Sequence, residues 1–276
     1  MNNSTETRAD GKPSWRTGLN LTEEGSYAYD QTFYRYIQQG ALRSARIVIP
    51  LVRKQLQVNS VLDVGCGAGA WLSEYLSQGV ADCAGVDGNY VDRASLLIPA
   101  ELFFPRDVSA EFDLSRGFDL VQCLEVGEHI EPECSATLVA NLVRHGDYVL
   151  FSAAVPGQGG ENHINERPYS FWRALFAGHG YAPYDFVRPH LRNAAGVEAW
   201  YRHNVVLYVA QRAQAFLPAE IRSVRVSDDE PIADVASPLW KLRTLVFARL
   251  PVAWISKLAI LKHRSLLLGR ALGRRK

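Results

Sequence analysis

Between residues 27 and 56 apolar side chains recur at helical spacing: Phe33, Tyr36 and Ile37, then Leu42, Ile47, Leu51 and Val52. This predicts a helical segment that Pro50 kinks or divides. A short apolar run follows (Val61, Leu62, Val64) and ends in alternating glycines, Gly65-Cys66-Gly67-Ala68-Gly69. Trp71, Leu72, Tyr75 and Leu76 then resume helical spacing. Further strand-like runs lie at 81–86, 102–104, 118–124 and 147–154, and the last is nearly continuously apolar after Asp147, as for a strand buried on both faces. A helix is predicted over 169–177. An antiparallel pair at 181–187 and 204–210 closes the pattern. Strands alternating with helices and ending in such a pair predict an open, mostly parallel α/β sheet over about 60–210.

The first strand, its glycine turn and the helix after it form the arrangement that cradles a ligand beyond the carboxyl ends of the strands. The spacing is G-x-G-x-G rather than the G-x-G-x-x-G of dinucleotide folds, and Asp63 stands two residues before the first glycine. A carboxylate there repels pyrophosphate and suits a cationic ligand. S-adenosylmethionine, with its sulfonium and ammonium groups, is such a ligand. The stretch Val61-Leu62-Asp63-Val64-Gly65-Cys66-Gly67-Ala68-Gly69 closely resembles motif I of the class I S-adenosylmethionine-dependent methyltransferases. That resemblance implies a Rossmann-like sheet of seven strands with helices on both faces and the last strand antiparallel. It also implies N-terminal helices over the cofactor or substrate. Asp87 lies 24 residues past Asp63, at the end of the second strand, where an acid accepts the ribose hydroxyls. Asp107 resembles the family's acid at the adenine amino group. The cofactor contacts implied are Asp63, Gly65, Cys66, Gly67, Gly69, Asp87, Gly88, Asn89, Asp107, Val108, Cys123 and Leu124.

Glu125, Glu128 and His129 follow the fourth strand at spacing i, i+3, i+4, so a helical turn starting there points all three to one side. Two carboxylates and an imidazole make a mixed site for a divalent cation, which relieves the repulsion between the acids. The E-x-x-E-H motif resembles ubiquinone-biosynthesis O-methyltransferases and the small-RNA ribose 2′-O-methyltransferases, in both of which it is associated with a divalent metal. The RNA group adds a later His, and His163 occupies a comparable place here. The expected ligands are therefore Glu125, Glu128, His129 and His163, with magnesium, manganese or zinc as the ion. Glu125, His129 and His163 are the expected catalytic residues. The competing reading is structural, with Glu128 capping the next helix and His129 packing. Arg188, His190, Trp200 and Arg202 lie between the last two strands, where insertions in this class form a substrate wall. Arginine beside aromatics suits sugars, phosphates or nucleotides.

The net charge is +1, but residues 241–276 carry ten Lys/Arg and no Asp/Glu, leaving 20 against 29 elsewhere. An acidic body is joined to a basic tail. Trp254, Leu258 and Leu261 sit at i, i+4, i+7 and suggest an amphipathic helix suited to a membrane interface. The acidic body speaks against a large nucleic-acid footprint. Four cysteines without C-x-x-C spacing suggest reduced thiols, and no secretory signal or spanning run is visible, so a cytoplasmic protein, peripheral at the inner membrane face, is expected. The domain boundaries expected are a lead-in over 1–20, a methyltransferase domain over 21–212 (helices to 57, core 60–210), a linker over 213–238 and the basic tail over 239–276.

The leading expectation is metal-assisted O-methylation of a sugar or polyol hydroxyl, on a small molecule or a surface or lipid-linked glycan. Quinone-type or secondary-metabolite O-methylation, RNA ribose 2′-O-methylation and a non-catalytic adenosyl-binding module are the alternatives.

Overall fold

A computed structural model describes residues 31–249 of the chain. The segments before and after, including Trp254, Leu258 and Leu261 of the expected amphipathic helix, lie outside the described residues. Helix α1 (Gln31–Gln55) leads into strand β1 (Ser60–Val64), then α2 (Ala70–Ser77), β2 (Asp82–Asp87), β3 (Phe103–Pro105) and β4 (Leu120–Leu124). The chain continues as α3 (Ser135–His145), β5 (Tyr148–Ser152), α4 (Tyr169–Gly178), β6 (Tyr181–Tyr184), α5 (Val187–Leu191), α6 (Ala199–Asn204) and β7 (Val206–Ala210). Short α7 (Ala219–Arg222) and α8 (Pro238–Phe247) complete it.

The seven strands form one sheet in the order β3-β2-β1-β4-β5-β7-β6. All pairs are parallel except β5 with β7 and β6 with β7, so the expected sheet with an antiparallel end is present. Strand alternation sorts β1 between two cores. Val61 joins α1, α2 and α5 on one face, while Leu62 and Val64 join α3 and α4 on the other. Every strand residue of β4 and β7 is buried; β7 is apolar throughout, and β4 is apolar apart from the buried Gln122.

Helix α1 runs through Pro50 to Gln55, so Pro50 does not divide it. Residues 125–129 do not begin an α-helix. Glu125 has a left-handed backbone (φ 57°), and Gly127–His129 is a single 3₁₀ turn. Within 213–238, Leu217, Ile221 and Ile232 lie in the cores, and Arg225 bridges to Tyr184 at the edge of β6.

Candidate active site

The parallel strands β1, β2 and β4 end together, and their register fixes what meets there. Asp63 stands opposite Gly85 on one side and Gln122 on the other. Its side chain is buried and its Oδ2 makes no hydrogen bond. Burial pushes its pKa up to about 7, the Gln122 amide beside it works against that rise, and the charge of Asp87 adds to it. Asp87 is also buried, and burial raises its pKa while its hydrogen bonds hold it down. Asp87 accepts from Tyr90 Oη, from Gly67 N at 2.7 Å and from Gly88 N at 2.7 Å. Gly67 itself adopts a positive φ of 54°, and a Cβ placed there would point into open space. Two buried carboxylates under an open glycine turn form a cradle with a deficit of positive charge. This fits a ligand with an ammonium, a sulfonium and ribose hydroxyls.

The other expected contacts divide into two groups. Cys66, Cys123 and Leu124 are buried, and Val108 packs partly on the core, so these four shape the floor from beneath. Gly65 and Gly69 both carry positive φ in the turn. Gly88 is half-buried and Asn89 is exposed beyond β2. Asp107 is exposed and accepts from Ser109 N at 2.9 Å, as an ordinary turn residue does.

A second cluster lies just past β4. Backbone N–H groups of Ile164 and Asn165 donate to the Glu128 carbonyl at 2.9 and 3.0 Å, and Asn165 Nδ2 donates to the Gly127 carbonyl at 2.9 Å. These bonds clamp the loop after β5 against the 3₁₀ turn and bring His163 to Glu128 and His129. Ligand atoms of Glu128, His129 and His163 all lie within 4.8 Å of one another. The two imidazoles meet edge to face, with centroids 4.9 Å apart. Glu128 is fully buried and neither carboxylate oxygen has a hydrogen-bond partner. Burial, reinforced by the neighbouring Glu125, drives its pKa well above the usual carboxylate range. His129 is exposed as a residue, yet the packing around its ring and the nearby His163 push its pKa down to about 3, so it stays neutral.

Each imidazole is oriented through Nδ1. His163 Nδ1 lies 2.8 Å from Glu166 Oε1, and His129 Nδ1 lies 3.3 Å from the Asn162 carbonyl. When Nδ1 donates in both bonds, each Nε2 keeps its lone pair for a cation. An orphaned buried carboxylate with two such imidazoles matches the donor set of a divalent transition metal.

Glu125 is not part of that convergence. Gln158 Nε2 donates to its Oε2 at 2.7 Å and Asn204 Nδ2 to its Oε1 at 3.2 Å. Its backbone is left-handed and its carboxylate is held by the loop after β5 and the end of α6, so the i, i+3, i+4 helical reading does not describe this member. Arg188 is not a substrate wall either. It is buried, pairs twice with Asp185 at 2.7 Å and donates to the carbonyls of His203 and Ala233. His190 is exposed, and its Nδ1 faces the carbonyl of Phe186 one turn back at 2.7 Å. Trp200 packs partly on the core, while Arg202 is half-buried with its Nε unpaired. Sequence reasoning missed Glu166, Gln158 and Asn204. Of these only Glu166 carried a signal, as an acid three residues after His163.

The sequence profile described as "Methyltransferase domain" matches residues 34–184, more than half of the chain. The chain belongs to the methyltransferase-domain family. Its domain has the fold and glycine turn of the S-adenosylmethionine-dependent members. Curated proteins similar to it include the ubiquinone biosynthesis O-methyltransferase of Bordetella avium, 32% identical over 131 residues, covering 44% of this chain and 48% of that protein. The protein of the same name from Nitrosomonas europaea is 28% identical over 165 residues, covering 51% of this chain and 65% of that one. The chain thus spans roughly half to two thirds of these relatives. A sugar N-methyltransferase from Streptoalloteichus shares the fold, with a TM-score of 0.50 at 20% identity over 65% of this chain and 92% of that one. The matched methyltransferase segment ends at β6, so β7, α7 and α8 lie outside it.

Proposed function

We propose that the chain is an S-adenosylmethionine-dependent O-methyltransferase, assisted by a divalent cation, acting on a hydroxyl of a sugar or polyol. The observation that supports this most is the orphaned Glu128 carboxylate with the His129 and His163 imidazoles, all beside the Asp63–Asp87 cradle. S-adenosylmethionine, when bound, supplies an electrophilic methyl group on a cationic sulfur. A divalent cation, when bound, lowers the pKa of a hydroxyl oxygen.

The residues divide the remaining work. Asp63 balances the positive charge of the methyl donor, and Asp87 takes the ribose hydroxyls. Asp107, Asn89 and the exposed rim beyond β2 frame the adenine. Glu128, His129 and His163 would hold the cation, which would supply the acidification of an acceptor hydroxyl. Glu125, anchored by Gln158 and Asn204, places a further carboxylate next to Glu128. Most of the acceleration is then positioning of two reactants. Two adjacent oxygens on one cation favour a vicinal diol. Trp200 and Arg202 are the remaining candidates for acceptor contact.

A second reading, an aromatic hydroxyl of a quinone precursor, is favoured by the similarity to ubiquinone biosynthesis O-methyltransferases. The domain division is proposed as expected from sequence, except that 213–238 belongs with the core.

The test measures transfer of labelled methyl to carbohydrate, quinone and RNA fractions with and without chelator, together with metal binding by calorimetry. Glu128→Gln and His163→Ala are expected to lose metal binding and roughly 100-fold in methyl transfer while still binding the donor. Full activity of both variants in excess chelator would remove the cation from the proposal. Label recovered in a quinone fraction rather than in carbohydrate would select the second reading.

A further inference from the structure

Helix α8 faces two ways. Its inner side is anchored to the site. Ser237 caps it by accepting from Trp240 N, and the Trp240 ring meets His203 edge-on at 5.1 Å. The Arg243 guanidinium lies between the Trp240 and Phe247 rings, 4.8 and 4.6 Å from their centroids. A Cβ on Gly157, in the loop that leads to His163, would come within 2.0 Å of the Thr244 carbonyl oxygen. The helix therefore rests directly on the loop that carries a proposed metal ligand.

Its outer side is apolar and open. Leu239, Leu242, Leu245 and Val246 are 80%, 59%, 54% and 50% exposed. At 100° per residue they span one arc of about 120° on the helix surface. Single exposed leucines are ordinary, whereas four on one stripe form a patch. No described segment lies across it. Lys241 is exposed beside the stripe and Arg249 follows it. From residue 250 to the end the sequence adds seven Lys/Arg and no Asp/Glu, interleaved with Trp254, Ile255, Leu258 and Leu261. An exposed apolar helix face, followed in the sequence by positive charge without acidic residues, is complementary to an anionic lipid surface.

We propose that the outer face of α8, continued by the basic residues after it, docks this protein on an anionic bilayer. Leucines enter the boundary between headgroups and acyl chains, while Lys and Arg meet lipid phosphates. A helix is about 10–12 Å across, so docking holds the Gly157–His163 loop within one helix thickness of the headgroups. The docking surface stands without the methyl-transfer reading. The role given to it, holding that site at the leaflet, rests on that reading.

The experiment uses the full chain and sedimentation with vesicles of neutral phosphatidylcholine, alone or mixed with anionic phosphatidylglycerol. Co-sedimentation is expected with the mixed vesicles only and is expected to weaken as salt rises. Leu242→Glu with Leu245→Glu, both exposed, is expected to weaken it about tenfold or more while leaving calorimetric binding of S-adenosylmethionine unchanged. Donor binding that fails in the parent chain speaks against the methyltransferase reading and leaves docking standing. The docking proposal is overturned by absence of binding to either vesicle, by equal binding of the double variant, or by a dimer in sedimentation velocity that the double variant abolishes.

Discussion

Asp63 carries the clearest electrostatic signature in the molecule. It is buried, its Oδ2 is unpaired, and its pKa is raised to about 7 from 3.8. A raised carboxyl pKa means that the folded state binds a proton the unfolded state releases. Its stabilising contribution is complete below about pH 4 and is lost as pH rises through about 7. Three pH units correspond to about 4 kcal/mol. Asp87, raised in the same direction, adds to the trend. The melting temperature of the ligand-free protein is therefore expected to fall between pH 5 and pH 8. Asp63→Asn is expected to flatten that fall and to raise stability at pH 8. The same substitution removes the charge that a sulfonium or ammonium needs. Donor affinity measured by calorimetry should rise from pH 6 to 7.5 in the parent chain and be weak and flat in the variant. An unchanged pH profile in Asp63→Asn would assign the burial cost to other groups.

At the scale of elements, the loop after β5 does what no single strand does, because it closes the site. Glu166 accepts from Gly157 N and Gly159 N at 2.7 Å and from His163 Nδ1 at 2.8 Å, so one carboxylate both folds the loop and orients the imidazole. Glu166→Gln keeps the shape but turns one acceptor into a donor, and metal affinity is expected to drop roughly 10- to 100-fold with little change in donor binding. Gly157 has a φ of 82° and lies against α8. Gly157→Ala is expected to cost about 1–3 kcal/mol from backbone strain, plus the displacement of α8, seen as faster proteolysis at residues 238–249. The strands and the glycine turn were legible because their signals are local: apolar runs, and glycines after Val64. The position of Glu125 was not legible, because its left-handed backbone and its bonds to Gln158 and Asn204 depend on contacts 33 and 79 residues away. Arg188 misled differently, because its main partner Asp185 is only three residues away and its burial was not visible. An arginine near aromatics looks like a binding residue until Asp185 and two carbonyls are found around it.

At the scale of the whole molecule, the sheet edge divides the proposed work between two sets of strands. The donor cradle sits where β1 and β2 end, and the cation cluster sits where β4 and β5 end. A donor bound across the glycine turn ties α2 to β2 and stabilises the folded state by mass action. At a concentration about 100 times its dissociation constant the gain is about 2.7 kcal/mol. For a domain of this size that corresponds to a rise in melting temperature of about 5–10 °C. The two halves make different demands on this measurement. Glu128→Gln and His163→Ala leave the cradle intact, so the donor-induced rise should persist in both while the metal-induced rise disappears. Asp63→Asn should show the reverse, a metal-induced rise without a donor-induced one. If all three variants lost both rises together, the cradle and the cluster would be a single cooperative unit. The division of labour between the donor and the cation would then have to be replaced by one shared site.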